Sequence, residues 1–196
     1  MSKALIIVDI QNDFVEGGSL AVTGGKAVAS KVSSFLNEHH GDYTTVVTTQ
    51  DWHIDPKGHW SETPDFVESW PVHCEAYTEG AAFVDELNET LTALRALGKT
   101  EFAEVVKGEY GDDYSGFEGH LRGSQETLES YLNNLGVTEV EVVGIATDYC
   151  VKATAEQAVD AGFKTTVLMD MCAGIAVSSD DQHFKATLAS KNINVK

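Results

Sequence analysis

The sequence predicts an α/β fold in three layers, α/β/α, with a central parallel sheet of about six strands. Three observations carry that prediction. Continuous aliphatic runs recur along the 196 residues, as in strands covered on both faces. Stretches with helical apolar spacing lie between them. No repeat, low-complexity tract or Pro/Ser-rich linker breaks the alternation, so residues 1–196 are expected to form a single domain.

In chain order, Ala4-Leu5-Ile6-Ile7-Val8 is the first run, all aliphatic and rich in branched residues. Lys26 to His39 places Val28, Val32, Phe35 and Leu36 on one helical stripe. Thr44 to Thr49 is the second strand. A stretch of about fifty residues follows, from Gln50 to Thr100; a connection that long inside a compact domain is usually functional. It contains DWHIDPKGHW and a helical pattern from Phe83 to Leu97. Phe102 to Val106, Val140 to Gly144 and Thr165 to Met169 supply three more strands, and Ile193 to Val195 a weak sixth. The alanine-rich stretch from Cys150 to Ala161 stops at Gly162, a helix ending on glycine.

Composition narrows the function classes. Lysine and arginine number 13 against 31 aspartates and glutamates, a net charge of −18. Such a surface repels phosphate backbones and anionic headgroups, so neither nucleic acid nor a membrane is expected as partner. The run at Ala4–Val8 meets Asp9 before a signal-peptide core forms, and no stretch approaches the roughly 20 apolar residues of a membrane span. Three scattered cysteines fit a reducing compartment, and the expected localisation is cytoplasmic. The Gly-rich segment from Glu16 to Lys26 fails as a phosphate loop, with Leu20 and Ala27 at positions that need glycine and Ser/Thr, and no dinucleotide fingerprint follows any strand. Gly17, Gly18, Gly24 and Gly25 read as turn residues.

Two clusters carry chemistry. Asp51 and His53 are two apart just after the second strand and project to one side, and His59 and His73 share the same long connection. Oxygen and nitrogen ligands of this kind suit one divalent metal ion, Zn, Fe or Mn. His39, His40, His120 and His183 are read as surface histidines. The second cluster follows from topology. Asp9 ends the first strand, Lys107 ends the third, and Cys150 follows the fourth within the first turn of a helix that Thr147 or Asp148 caps. In an open parallel sheet ligands bind at the carboxyl ends of the strands, so Asp9, Asp51, Lys107 and Cys150 are expected to share one crevice. Asp9 then takes the thiol proton, while Lys107 and the helix start hold Cys150 as a thiolate. Backbone N–H groups at Ala146 and Cys150 meet the tetrahedral oxyanion.

The segments ALIIVDIQNDFVEGGSLAVTGG, DWHIDPKGHW, PVHC, VVKGEY, YSGFEG and VVGIATDYCV, in this order, resemble the nicotinamidase/pyrazinamidase branch of the isochorismatase-like cysteine hydrolases. The resemblance runs through essentially the whole chain. It implies an isochorismatase-like fold, an Asp9/Lys107/Cys150 triad, and a divalent metal at Asp51, His53 and His73 with His59 as a further ligand. It implies that Phe14, Trp70 and Tyr114 flank the substrate ring and that the Ile145–Ala146 peptide is cis. The implied activity is that of a nicotinamide amidohydrolase: hydrolysis of nicotinamide, and of pyrazinamide, through a Cys150 thioester, with a place in NAD salvage. Nicotinamide is then the small-molecule partner, and a homo-oligomer stays open. A purely structural zinc domain, by contrast, would close its four-ligand site and leave Cys150 inert.

Overall fold

The computed structural model describes residues 2–196. Seven strands form one sheet: β1 (Lys3–Val8), β2 (Thr45–Asp51), β3 (Glu101–Lys107), β4 (His120–Leu121), β5 (Glu139–Ile145), β6 (Lys164–Ala173) and β7 (Asn194–Val195). Their order is β4-β3-β2-β1-β5-β6-β7, all neighbours parallel except β4, which pairs antiparallel with β3. The expected count of six becomes seven because β4, a two-residue edge strand, is too short to leave an alternation in the sequence.

Among the described residues there are five α-helices, α1 (Gly25–His39), α2 (Asp85–Leu97), α3 (Leu128–Asn134), α4 (Lys152–Asp160) and α5 (Gln182–Ser190). Successive residues of a strand face opposite sides, and β1 divides accordingly. Leu5 and Ile7 pack with Val28, Val32 and Leu36 of α1 and Leu87, Leu91 and Leu94 of α2. Ala4, Ile6 and Val8 pack with Leu128 and Leu132 of α3, Ala155 and Ala158 of α4, and Phe184 and Leu188 of α5. Two cores, one on each face, leave Ala4–Val8 of β1 wholly buried, which is why that stretch reads as an unbroken aliphatic run. No helix of the described residues is long and apolar enough to cross a membrane.

Two local expectations change. The segment Thr147–Val151 is a π-helical turn, and α4 begins only at Lys152. Asp148 does not cap it: its carboxylate accepts from the backbone N–H of Ile175 (2.9 Å) and Ala176 (2.7 Å), in the loop that follows β6. The Gly-rich segment does make a turn, closed by the Glu16 carboxylate on the N–H groups of Gly24 (2.6 Å) and Lys26 (2.9 Å).

Candidate active site

The order β3-β2-β1-β5 lays the carboxyl ends of four parallel strands side by side. Asp9 follows β1, Asp51 ends β2, Lys107 ends β3, and Cys150 lies in the turn after β5. They converge as topology requires. The Lys107 ammonium lies 3.0 Å from Asp9 Oδ2 and 3.7 Å from Cys150 Sγ, and pairs with Asp51 Oδ1. It donates as well to the Asp113 carbonyl, at 3.2 Å. Asp9, Asp51 and Cys150 each bring an atom within 4.8 Å of the others. All four residues are buried.

A buried ammonium between two carboxylates sets the protonation states. Burial pulls Lys107 down, yet the Asp51 and Asp9 carboxylates hold it well above the ordinary lysine value, so it stays a cation. The two carboxylates separate. Burial pushes both up, but Asp51, paired with Lys107 and facing His53 and His73, is held well below the usual carboxylate range. Asp9 is raised, by burial and by the Asp51 charge, against the pull of Lys107. One partner therefore stays ionised and the other becomes the stronger base. Thr49 donates to Asp9 Oδ1 at 2.5 Å, which leaves Oδ2 as the oxygen that faces Lys107.

The expectation of a resting thiolate at Cys150 is not met. Burial pushes the thiol well above its ordinary value, Asp9 and Asp51 add to this, and Lys107 offsets only part of it. A helix start acts locally, whereas the two carboxylates arrive from other strands. Cys150 therefore rests as a thiol beside a base of raised proton affinity.

Asp51 Oδ2, turned away from Lys107, lies 3.6 Å from His53 Nε2 and 3.9 Å from His73 Nε2. His53, His59 and His73 bring one nitrogen each within 4.8 Å of one another, with ring centroids 5.0–5.2 Å apart. Two of the rings are oriented from behind: the Gly108 carbonyl meets His53 Nδ1 (2.5 Å) and the Pro71 carbonyl meets His73 Nδ1 (2.7 Å). That arrangement directs both Nε2 atoms inward, as in metal sites where an outer bond fixes the tautomer. His53 Nε2 and His59 Nδ1 are buried without a hydrogen-bond partner. Orphaned imidazole nitrogens beside a low-pKa carboxylate fit a divalent cation, since a buried polar atom without a partner is otherwise costly. Burial, with the neighbouring imidazoles, brings His59 down to about 4, so it is a neutral ligand at neutral pH.

Two residues that the sequence did not single out shape this corner. Gly108 has φ +69°, and a Cβ there would lie 2.6 Å from His53 Cε1, so only glycine lets its carbonyl reach the ring. The Gln11 side chain donates to the Asp51 carbonyl (2.8 Å) and accepts from the Asp51 N–H (2.9 Å), and it also donates to the Ala81 carbonyl (2.9 Å). Long-range bonds from a side-chain amide leave no local pattern.

Cys150, Asp51, His59 and His73 open into a small cavity of about 30 Å³. Phe14, Trp70 and Tyr114 line it, together with Leu20, Tyr149 and Ile175, which sequence reasoning missed. Trp70 Nε1 donates to Tyr114 Oη at 3.1 Å, and its ring stands edge-on to Tyr149, 5.2 Å between centroids. Ala146 follows β5 at the cavity end of the sheet, through a cis Ile145–Ala146 peptide as expected. His39, His40, His120 and His183 belong to none of the candidate ligand groups of the described residues.

The isochorismatase domain family matches residues 3–193. The chain is 50% identical over 177 residues to a nicotinamidase/pyrazinamidase of Mycobacterium tuberculosis, spanning 90% of this chain and 89% of that protein. It is 32% identical to a nicotinamidase of Saccharomyces cerevisiae, spanning 98% of both. The fold matches the structure of the yeast nicotinamidase with a TM-score of 0.80 at 31% identity, covering 98% of each chain. It matches a pyrazinamidase of Pyrococcus horikoshii in complex with zinc with a TM-score of 0.76 at 32% identity, covering 100% of this chain and 99% of that one.

Proposed function

The chain belongs to the isochorismatase family, and from that premise we propose that it is a nicotinamidase that converts nicotinamide to nicotinate and ammonia through a thioester on Cys150. The observation that carries the reading is the Lys107 ammonium poised between Asp9 Oδ2 and Cys150 Sγ, at 3.0 and 3.7 Å, at the edge of an aromatic cavity. Pyrazinamide, an amide on a similar flat ring, fits the same chemistry. A product released as nicotinate serves NAD salvage.

Asp9 Oδ2 takes the Cys150 proton as Sγ attacks the carboxamide carbon, with Lys107 balancing the charge that develops on sulfur. The carbonyl π pair moves to oxygen, where the N–H groups of Ala146 and Cys150 stabilise it; each such donor is worth roughly 3 to 4 kcal/mol in the transition state. The C–N bond then breaks, the amine leaves with the proton held by Asp9, and a thioester remains. Asp9, again a carboxylate, deprotonates a water that attacks the thioester carbon. The C–S bond breaks, the proton on Asp9 returns to Sγ, and nicotinic acid departs and ionises to nicotinate. Phe14, Trp70 and Tyr114 clasp the ring, and uncharged aromatic walls suit an uncharged pyridine. Asp51, His53, His59 and His73 would hold one divalent ion, Zn, Fe or Mn, which when bound would supply a Lewis acid for the pyridine nitrogen.

Ammonia release from nicotinamide by the metal-loaded protein tests the reading, together with the mass of protein quenched during turnover. The wild type releases ammonia and carries a nicotinoyl adduct on the Cys150 peptide, and Cys150→Ala does neither. Ammonia from Cys150→Ala above background refutes the covalent route.

A further inference from the structure

We propose that Ile175 sets the largest ring the cleft admits, and that Asp148 is the positioning residue that holds Ile175 in place. The inference rests on the reading of the aromatic cavity as the ring pocket. The cavity beside Cys150 has about 30 Å³, room for about two waters and not for an aromatic ring. A ring that enters therefore presses on the wall and extends toward the mouth, and the wall residue free to move sets how large a ring is admitted. Of the ten residues lining it, Ile175 alone is exposed, at 49%.

The remaining wall is pinned: half-buried Leu20 packs against the core that holds Phe14, and its N–H donates to the Asp13 carbonyl at 3.0 Å. Phe14, Asp51, His59, Trp70, His73 and Cys150 are buried. Tyr114 is held by the Trp70 indole, and Tyr149 packs against both of those rings. His59, Tyr114 and Tyr149 also face a larger outer cleft of about 750 Å³, which makes them the rival entrance, but each is tied into the aromatic and imidazole cluster. Ile175 is held differently. Its own N–H and that of Ala176 both donate to the Asp148 carboxylate, at 2.9 and 2.7 Å. Asp148 lies in the turn that carries Cys150, so the exposed wall is tied to the nucleophile's own segment by one side chain. Loosening that tie enlarges the pocket without touching Asp9, Lys107 or the imidazoles. A smaller residue at 175 does the same.

The experiment compares wild type, Ile175→Ala, Asp148→Ala and the double variant on nicotinamide and on its 2-, 4-, 5- and 6-methyl derivatives. The readout is the ratio of kcat/KM for each methylated amide to that for nicotinamide. Ile175→Ala raises the ratio at least tenfold for one or more isomers, and Ile175→Phe lowers it. Asp148→Ala raises it for the same isomers, and adds less than twofold when Ile175 is already alanine, because two changes that act through one contact do not add. A purely structural role for Asp148 lowers kcat alike for every amide and leaves the ratios where they were.

A second readout needs no substrate: the rates at which N-phenylmaleimide and iodoacetamide modify Cys150, followed on the Cys150 peptide by mass spectrometry. Their ratio rises at least fivefold in Ile175→Ala. Where wild type releases ammonia from nicotinamide and neither ratio moves in Ile175→Ala, the inference is overturned and entry runs past His59, Tyr114 and Tyr149. Where wild type releases none, the nicotinamidase reading falls, and the thiol ratio alone decides the role of Ile175.

Discussion

Replacing Gly108 by alanine perturbs the metal corner through a single methyl group. The residue sits at φ +69°, where a side chain costs about 1–2 kcal/mol of backbone strain. The new Cβ would stand 2.6 Å from His53 Cε1 and 2.9 Å from Nδ1, so the ring must retreat by roughly 1 Å to reach an ordinary contact of about 3.5 Å. That movement breaks the 2.5 Å contact between His53 Nδ1 and the Gly108 carbonyl. Loss of such an outer bond to a metal-ligating histidine costs about 10–100-fold in metal affinity. The strain itself lowers Tm of the metal-free protein by about 2–8 °C at this chain length. Zinc affinity is measured by competition with a chromophoric chelator, and Tm by circular dichroism on metal-stripped protein. Gly108→Asn separates the two effects, because asparagine tolerates the left-handed conformation yet carries the same Cβ. It regains part of the Tm but none of the affinity. Zinc affinity within twofold of wild type in both variants refutes the assignment of His53 as a ligand oriented by Gly108.

Trp70→Ala removes one flat wall of the ring pocket and raises KM for nicotinamide by about tenfold, the scale of one aromatic contact, with a smaller change in kcat; an unchanged KM shows that Trp70 only supports the fold. Benzamide, which lacks the ring nitrogen, is turned over at least tenfold less efficiently than nicotinamide by the metal-loaded protein, and equal kcat/KM for the two leaves the ion a structural role. The acid limb of kcat/KM against pH reports Asp9. Its proton is held above the ordinary carboxylate value, so activity falls as pH drops through that raised value and the carboxylate is lost as base. Thr49→Val removes a hydrogen bond to the charged form and moves the limb to higher pH, whereas Thr49→Ser leaves it in place; a Val variant with the wild-type profile shows that Thr49 does not tune Asp9. Because the Cys150 thiol is pushed up, iodoacetamide labels it at pH 7 more slowly than free cysteine, and labelling faster than free cysteine indicates a resting thiolate.

What the sequence revealed follows the range over which each signal acts. β1, β2 and β5 are buried on both faces, and burial of that kind writes itself into consecutive residues. α3 and α5 went unread because each presents only two buried residues, Leu128 and Leu132 or Phe184 and Leu188, too few to establish a period. The convergence of Asp9, Asp51, Lys107 and Cys150 was legible, since the carboxyl ends of parallel strands meet by topology. The histidine trio was legible because three of the seven histidines crowd one connection. Asp148 was misread. A carboxylate near a helix start suggests a cap, and nothing local announces that its partners are amides 27 and 28 residues downstream. Gln11 and Gly108 were silent for the same reason, as each acts across the sheet on a backbone or ring remote in sequence.

Gln11 has a consequence for the shape of the crevice. β1 and β2 pair backbone to backbone as far as Val8 and Thr49, and the Asp9 N–H still reaches the Thr49 carbonyl at 3.3 Å. Beyond that point the main chains part, and the Gln11 amide meets both backbone groups of Asp51 as a neighbouring strand would. The side chain thus works as a spacer, keeping the ladder satisfied while holding the two strands a side chain's length apart. The width of the opening in which Asp9, Asp51 and Lys107 face one another is measured out by the methylenes of one glutamine. Asparagine at this position, one methylene shorter, would have to draw the strands together or abandon Asp51. The sheet therefore carries its own ruler for the cleft, in a residue that takes no part in the chemistry.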